Sequence, residues 1–198
     1  NNGDTIHNKE ILNTKQNYYH KPQFSLRDFW TINKRLYISN ILYASIGNGG
    51  GTSISGSAYD NLGQYNLQAV YNGNLGPFSI DPTYSDSEHK SGSYLKSSIN
   101  NHYWYGALST LNYQYTENID LSGGLDFRYY KGEHYREIYD LLGGDYAIVN
   151  DDATQLSSVK RAGDKIGYHN DGLVKWGGIF TQLEYKNPTL STFINLSA

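Results

Sequence analysis

Residues 119–130, IDLSGGLDFRYY, place Ile119, Leu121, Gly123, Leu125, Phe127 and Tyr129 on one parity and Asp120, Ser122, Gly124, Asp126, Arg128 and Tyr130 on the other. Successive strand side chains point to opposite faces, so this segment predicts a strand with one apolar face and one charged face. Two kinds of fold accept such a strand. A soluble domain packs the apolar face on a core and leaves the charges in water. A membrane barrel presents the apolar face to lipid and turns the charges toward a wet lumen.

The same alternation recurs along the chain. Tyr103, Tyr105, Ala107, Ser109, Leu111, Tyr113 and Tyr115 oppose Trp104, Gly106, Leu108, Thr110, Asn112 and Gln114, and the break Thr116-Glu117-Asn118 leads into the strand above. Gly177, Ile179, Thr181, Leu183 and Tyr185 oppose Trp176, Gly178, Phe180, Gln182 and Glu184. Lys186-Asn187-Pro188 then turns the chain, with proline where no ladder donor is needed, into a strand whose Leu190, Thr192, Ile194, Leu196 and Ala198 share a parity. Residues 23–31 and 35–46 predict an earlier hairpin, but Arg27 and Asp28 put charge on both parities, and both faces of the second strand stay open.

Between the hairpins lie long polar stretches at about 47–101 and 131–171, read as loops. Within the second, Tyr135–Leu142 predicts one or two helical turns ending at Gly143-Gly144. Short and long connections therefore alternate, the strands run to roughly 10 or more residues where soluble ones average about 5–6, and tyrosines cluster near strand ends. The prediction is an all-β fold: an antiparallel transmembrane β-barrel segment of about six long strands, with short turns on one rim and long loops on the other. Leu121, Leu125 and Phe127 then face lipid, and Asp120, Asp126 and Arg128 face the lumen. The reverse would strand charge in hydrocarbon, at roughly 2–4 kcal/mol for a basic residue near the midplane.

Composition agrees with that pattern. Mean hydropathy is −0.63, charged residues make up 18% of the 198, and no run of about 18 apolar residues exists to form a transmembrane helix. Barrel strands escape that test because only alternate residues need be apolar. Tyrosine, at 20 residues against 6 Phe and 3 Trp, suits membrane–water interfaces and polar binding surfaces alike. The absence of cysteine excludes disulfides and thiolate metal sites. A net charge of −3 carries no nucleic-acid footprint. With no methionine at all, residue 1 is expected to follow processing or excision, and no signal peptide is visible at Asn1.

Catalytic and metal signatures are weak. GNGGG at 47–51 lacks the Lys-Ser/Thr of a P-loop and misses the dinucleotide-binding spacing, so it reads as loop backbone. Asp145, Asp151, Asp152 and Asp164 have no EF-hand spacing, and the six histidines (His7, His20, His89, His102, His134, His169) form no ligand pattern. Glu133, Glu137 and Asp140 supply carboxylates that any such loop would supply. No catalytic residue, metal site or cofactor is predicted, and the chain is not expected to be an enzyme. The ligand-binding candidates are Tyr135, Tyr139, Tyr146 and Tyr168, rings set among polar groups in the second loop.

Four segments carry a resemblance: NYYHKPQFSL (17–26), SIGNGGGT (45–52), YDLLGGDYAIVND (139–151) and AGDKIGYHNDGLVKWGGIFTQLEYKNPTLSTFINLSA (162–198). In that order they resemble the barrel of TonB-dependent receptors of Bacteroidota outer membranes. The resemblance implies a 22-stranded plugged barrel in the cell outer membrane, surrounded by lipid. It implies active import of a scarce nutrient (siderophore-iron, haem, cobalamin, glycan or peptide), driven by the inner-membrane TonB complex acting on a plug. A surface lipoprotein is a further possible partner. No plug, TonB box or carboxypeptidase-like domain stands in this sequence, and the terminal aromatic usual in these barrels is absent. Residues 1–198 are therefore expected to be a partial, mid-barrel segment. The alternatives are a secreted soluble β-rich glycan-binding module and a passive porin or adhesin barrel.

Overall fold

The computed structural model describes residues 13–151 and 158–198. Among these residues the fold is all-β with one α-helix, built on an antiparallel sheet of long strands. In order these are β1 (Asn17–His20), β2 (Gln23–Asn33), β3 (Leu36–Ser55), α1 (Leu67–Asn74), a 3-10 turn (Pro77–Ser79), β4 (Tyr94–Gln114), β5 (Ile119–Asp140), β6 (Ala147–Ile148), β7 (Val159–Lys160), β8 (Lys165–Lys186) and β9 (Ser191–Ser197). The sheet runs β1-β3-β4-β5-β8-β9, with β2 also paired to β3, and β6–β7 form a separate small hairpin. Pro22, which has no N–H to donate, falls in the gap between β1 and β2. Short turns at 34–35, 115–118 and 187–190 alternate with long connections at 56–93 and 141–164.

The long connections are shorter than the sequence pattern predicts because β3, β4, β5 and β8 reach 20, 21, 22 and 22 residues. Tyr135–Asp140, expected as helical turns, is strand. Arg136, Ile138 and Asp140 alternate with Tyr135, Glu137 and Tyr139, and burial of Ile138 against Ile166 favours period two over period 3.6. GNGGG, expected as loop, also lies within β3. A Cβ at Gly49 would collide with the Tyr19 ring, and one at Gly50 would meet Ile99 and the Tyr18 hydroxyl. The glycines let aromatic side chains lie flat on the strand.

The chain divides into two units. The first, here the loop unit, comprises the described residues up to Tyr19 with Gly49–Asn100 and His134–Asn170. It holds a core: Ile138, Leu141, Ala147 and Ile166, with Tyr94 and Val149 packed against them. Asn66 caps α1 by accepting a hydrogen bond from Ala69 N at 3.0 Å. At the other end of the helix, buried Asn74 donates from Nδ2 to the carbonyls of Ser93, Leu141 and Leu142 at 2.9–3.1 Å and accepts from Gly92 N at 3.0 Å. One side chain thus fastens the helix to both long connections.

The second, here the turn unit, comprises His20–Asn48, Asn101–Glu133 and Asp171–Ala198. Register settles the faces that sequence left open. Across β2–β3, Phe24 opposes Ala44, Leu26 opposes Leu42, Asp28 opposes Asn40 and Trp30 opposes Ile38. The other face pairs Ser25 with Tyr43, Arg27 with Ile41 and Phe29 with Ser39. Contacts carry the faces across the sheet. Tyr43 lies over Gly106 and meets Trp104 edge-on, while Asn40 bonds Ser109. Tyr105 lies beside Tyr129 at 6.1 Å, and Phe180 lies over Gly124. In β8–β9, Leu183 opposes Ile194 and Thr181 opposes Leu196. One face therefore carries Leu26, Leu42, Leu111, Leu125, Phe127, Ile179, Leu183, Ile194 and Leu196. All of these are exposed, with Leu26 at 68%, Leu125 at 61% and Leu196 at 66%.

Candidate functional site

The two long connections are laced together within the loop unit. Arg161 grips Glu88 with both bonds at 2.9 Å and reaches the Asp145 carbonyl at 3.2 Å. The bidentate carboxylate raises the guanidinium pKa above its ordinary value. His89 N donates to Asp145 Oδ2 at 2.8 Å, and Ser91 N donates to the Tyr146 carbonyl at 2.7 Å. Lys90 and Asp81 pair at 2.6 Å. The ammonium, by its hydrogen bond, holds the Asp81 carboxyl below the usual range, and the carboxylate raises Lys90 in return.

The four candidate tyrosines do not form one surface. Tyr135 meets His169 edge-on at 5.8 Å and carries Lys165 Nζ 4.5 Å from its ring centre. Tyr139 is exposed, on the same parity of β5. Tyr168 instead stacks under the Arg136 guanidinium at 5.1 Å, on the parity that also carries Ile138 and Ile166. Tyr146 is fully buried, tilted against Tyr84 at 6.3 Å, and its hydroxyl has no partner among the described residues. Burial first, and then the Asp81 charge, push that phenol's pKa upward. Its ring packs the loops from within and is closed to a ligand at the surface.

Exposed aromatic rings gather in the first connection, which sequence reading passed over. Tyr59 and Tyr65 stack at 4.7 Å with their hydroxyls 3.0 Å apart, and Phe78 is fully exposed. Asp60 makes the tyrosine pair possible: its carboxylate accepts from Leu62 N and Gln64 N at 2.9 Å, closing a turn at Gly63 with φ +74°. Asp60-Asn61-Leu62-Gly63 between two tyrosines is the turn signal that would have exposed this feature. Rigid rings of this kind suit stacking on flat or ring-shaped ligands.

Asp120, Asp126 and Arg128 share the face opposite Leu125. Arg128 pairs with Asp126 at 2.7 Å and lies 5.1 Å from the centre of the Trp176 ring, and Lys186 pairs with Asp120. Asp120, Asp126 and Arg128 are thus satisfied by neighbours in the sheet. Among the acidic candidates, Asp145 and Asp164 are engaged with His89 N and Arg161 N, while Asp152 lies outside the described residues. His89 bonds Ser79 at 2.7 Å and His134 bonds Asn100 at 2.7 Å; His7 lies outside the described residues. No group of three or more potential metal ligands gathers among the described residues. No protein-family model matches the chain, and no curated protein or solved structure matches it.

Proposed function

We propose that this chain forms part of the wall of a TonB-dependent outer-membrane receptor, contributing strands and two ligand-facing loops to energised uptake of a scarce nutrient. The observation that carries the barrel reading is the uncovered apolar face of the turn unit. Leu26, Leu42, Leu125, Ile179, Leu183 and Leu196 stand exposed across β2, β3, β5, β8 and β9, whereas the buried apolar cluster lies in the loop unit. In water, a contiguous apolar patch spanning several strands drives aggregation; against lipid tails it is at rest. Asp120, Asp126 and Arg128 then sit on the opposite face, where a wet lumen solvates them.

Strand lengths of 20–22 residues also exceed the 9–11 that cross a bilayer. Some strand remains to stand in water and carry loops. The sheet order leaves β2 and β9 each with one neighbour among the described residues. Open edges are not tolerated in hydrocarbon, so this reading requires further strands on both sides. The TonB-dependent class itself rests on the resemblance of the four segments, and the exposed Tyr59 and Phe78, with half-buried Tyr65 stacked on Tyr59, supply rings for ligand capture.

Fractionation tests the reading. An antibody raised against residues 141–149 should detect, in outer membranes, a band several times the 22.4 kDa of this chain. A barrel of twenty-two ~10-residue strands alone needs at least about 220 residues, before loops or plug. A soluble 22.4 kDa species would contradict it and favour the secreted glycan-binding module. Loss of nutrient uptake when the TonB complex is deleted separates a receptor from a passive porin, which would be indifferent.

A further inference from the structure

The apolar face of the turn unit is interrupted at one place. Asp28 and Asn40 stand directly opposite each other on that face, and Ser109 Oγ donates to Asn40 Oδ1 at 2.6 Å. Trp30 Nε1 donates to Asp28 Oδ2 at 2.6 Å. Beside these groups runs a groove of about 750 Å³, lined by Leu26, Leu42, Leu125 and Phe127 among others. The position matters. Ser109 is four residues from Tyr105 and four from Tyr113 along β4, about 13 Å from each. With Tyr105–Tyr129 and Tyr113–Tyr115, whose ring centres lie 6.1 and 6.5 Å apart, at the two interfaces of a band about 25 Å tall, this polar trio lies near its middle.

We propose that Asp28, Asn40 and Ser109 form a docking notch through which two copies of the protein associate within the bilayer, an inference that rests on the barrel reading above. Lipid tails offer neither donor nor acceptor, so a carboxylate and an amide at this depth call for a polypeptide partner. The notch is also self-complementary. The bonds from Trp30 and Ser109 leave the Asp28 Oδ1 acceptor and the Asn40 Nδ2 donors without a partner among the described residues. They stand side by side on adjacent strands. A twofold axis through the patch sets each copy's amide against the other's carboxylate, forming two equivalent hydrogen bonds, as an isologous contact requires. The flanking leucines then pack across the same axis and exclude lipid.

Single cysteines test this in the full-length protein in its native membrane, with any cysteine outside residues 1–198, which hold none, replaced by serine. Ser109→Cys, on β4, which the twofold sets about 14 Å from its mate and which leaves the Asp28 and Asn40 groups in place, should be joined by a bis-maleimide of that span into a species of twice the monomer mass. Ser39→Cys, on the opposite face, should not. In detergent, the double variant Asp28→Leu/Asn40→Leu should raise the dimer dissociation constant about tenfold. Cysteines labelled by a lipid-soluble maleimide but giving no doubled species would overturn the docking notch while leaving the barrel intact. An adduct of any other mass, or an unchanged dissociation constant, would also overturn it. Labelling by a membrane-impermeant maleimide in a soluble protein would remove the barrel reading and this inference together.

Discussion

Single side chains hold the loop unit together, and each makes a separate prediction. Asn74→Leu keeps the bulk and removes four hydrogen bonds, leaving the carbonyls of Ser93 and Leu142 without their Asn74 donor while the Leu141 carbonyl keeps Ser91 Oγ. A destabilisation of at least about 1–3 kcal/mol is expected in denaturant melts. Tyr146→Phe should do the opposite, leaving stability unchanged or slightly higher, because the hydroxyl it removes is buried without a partner among the described residues. A marked loss in the same melts would show that the hydroxyl has a role. The Asp81–Lys90 pair predicts a pH response. Asp81's lowered pKa means the pair's contribution is complete above the ordinary aspartate value of about 3.9 and is lost as pH falls through the lower folded value. Amide exchange in residues 77–91 should quicken over that acid range, and Asp81→Asn should abolish the response.

At the scale of elements, the two faces of β5 predict asymmetric tolerance. Leu125→Arg puts a cation on the apolar face and should cost about 2–4 kcal/mol near mid-band, whereas Ser122→Arg on the charged face should cost far less. Urea titration of the protein folded into lipid vesicles measures both. The period-two pattern of β4, β5, β8 and β9 was legible in sequence because one parity is almost wholly apolar. The hairpin of β2 and β3 was legible too, but its faces were not, since Arg27 and Asp28 oppose Ile41 and Asn40 and only register sorts them. Strand ends were misread for a related reason. Glycines in 47–51 and charges in 131–140 look like loop, yet Tyr18 and Tyr19 cover the former and Ile138 anchors the latter. The helix α1 has a readable cap in Asn66, but its anchor is Asn74, whose partners lie 18 to 68 residues away. The candidate site suffered most. Whether a tyrosine faces solvent depends on tertiary packing, so Tyr146 was chosen although buried, and the Tyr59–Tyr65 stack went unseen.

For the whole molecule, the account turns on what covers the apolar face of the turn unit. Placing that face in lipid explains why leucines stay exposed on five strands. It also explains why Asp120, Asp126 and Arg128 all occupy the other face, and why the sheet's edges call for additional strands. The most direct test is a nitroxide scan of residues 121–128 in the native membrane, reading collisions with oxygen, which concentrates in lipid, against those with a water-soluble nickel complex. Oxygen accessibility should alternate with period two, high at 121, 125 and 127 and low at 122, 126 and 128, with nickel accessibility out of phase. Uniform access to nickel along the segment, or protection of 121, 125 and 127 from both reagents, would show that water or protein covers this face and would contradict the account.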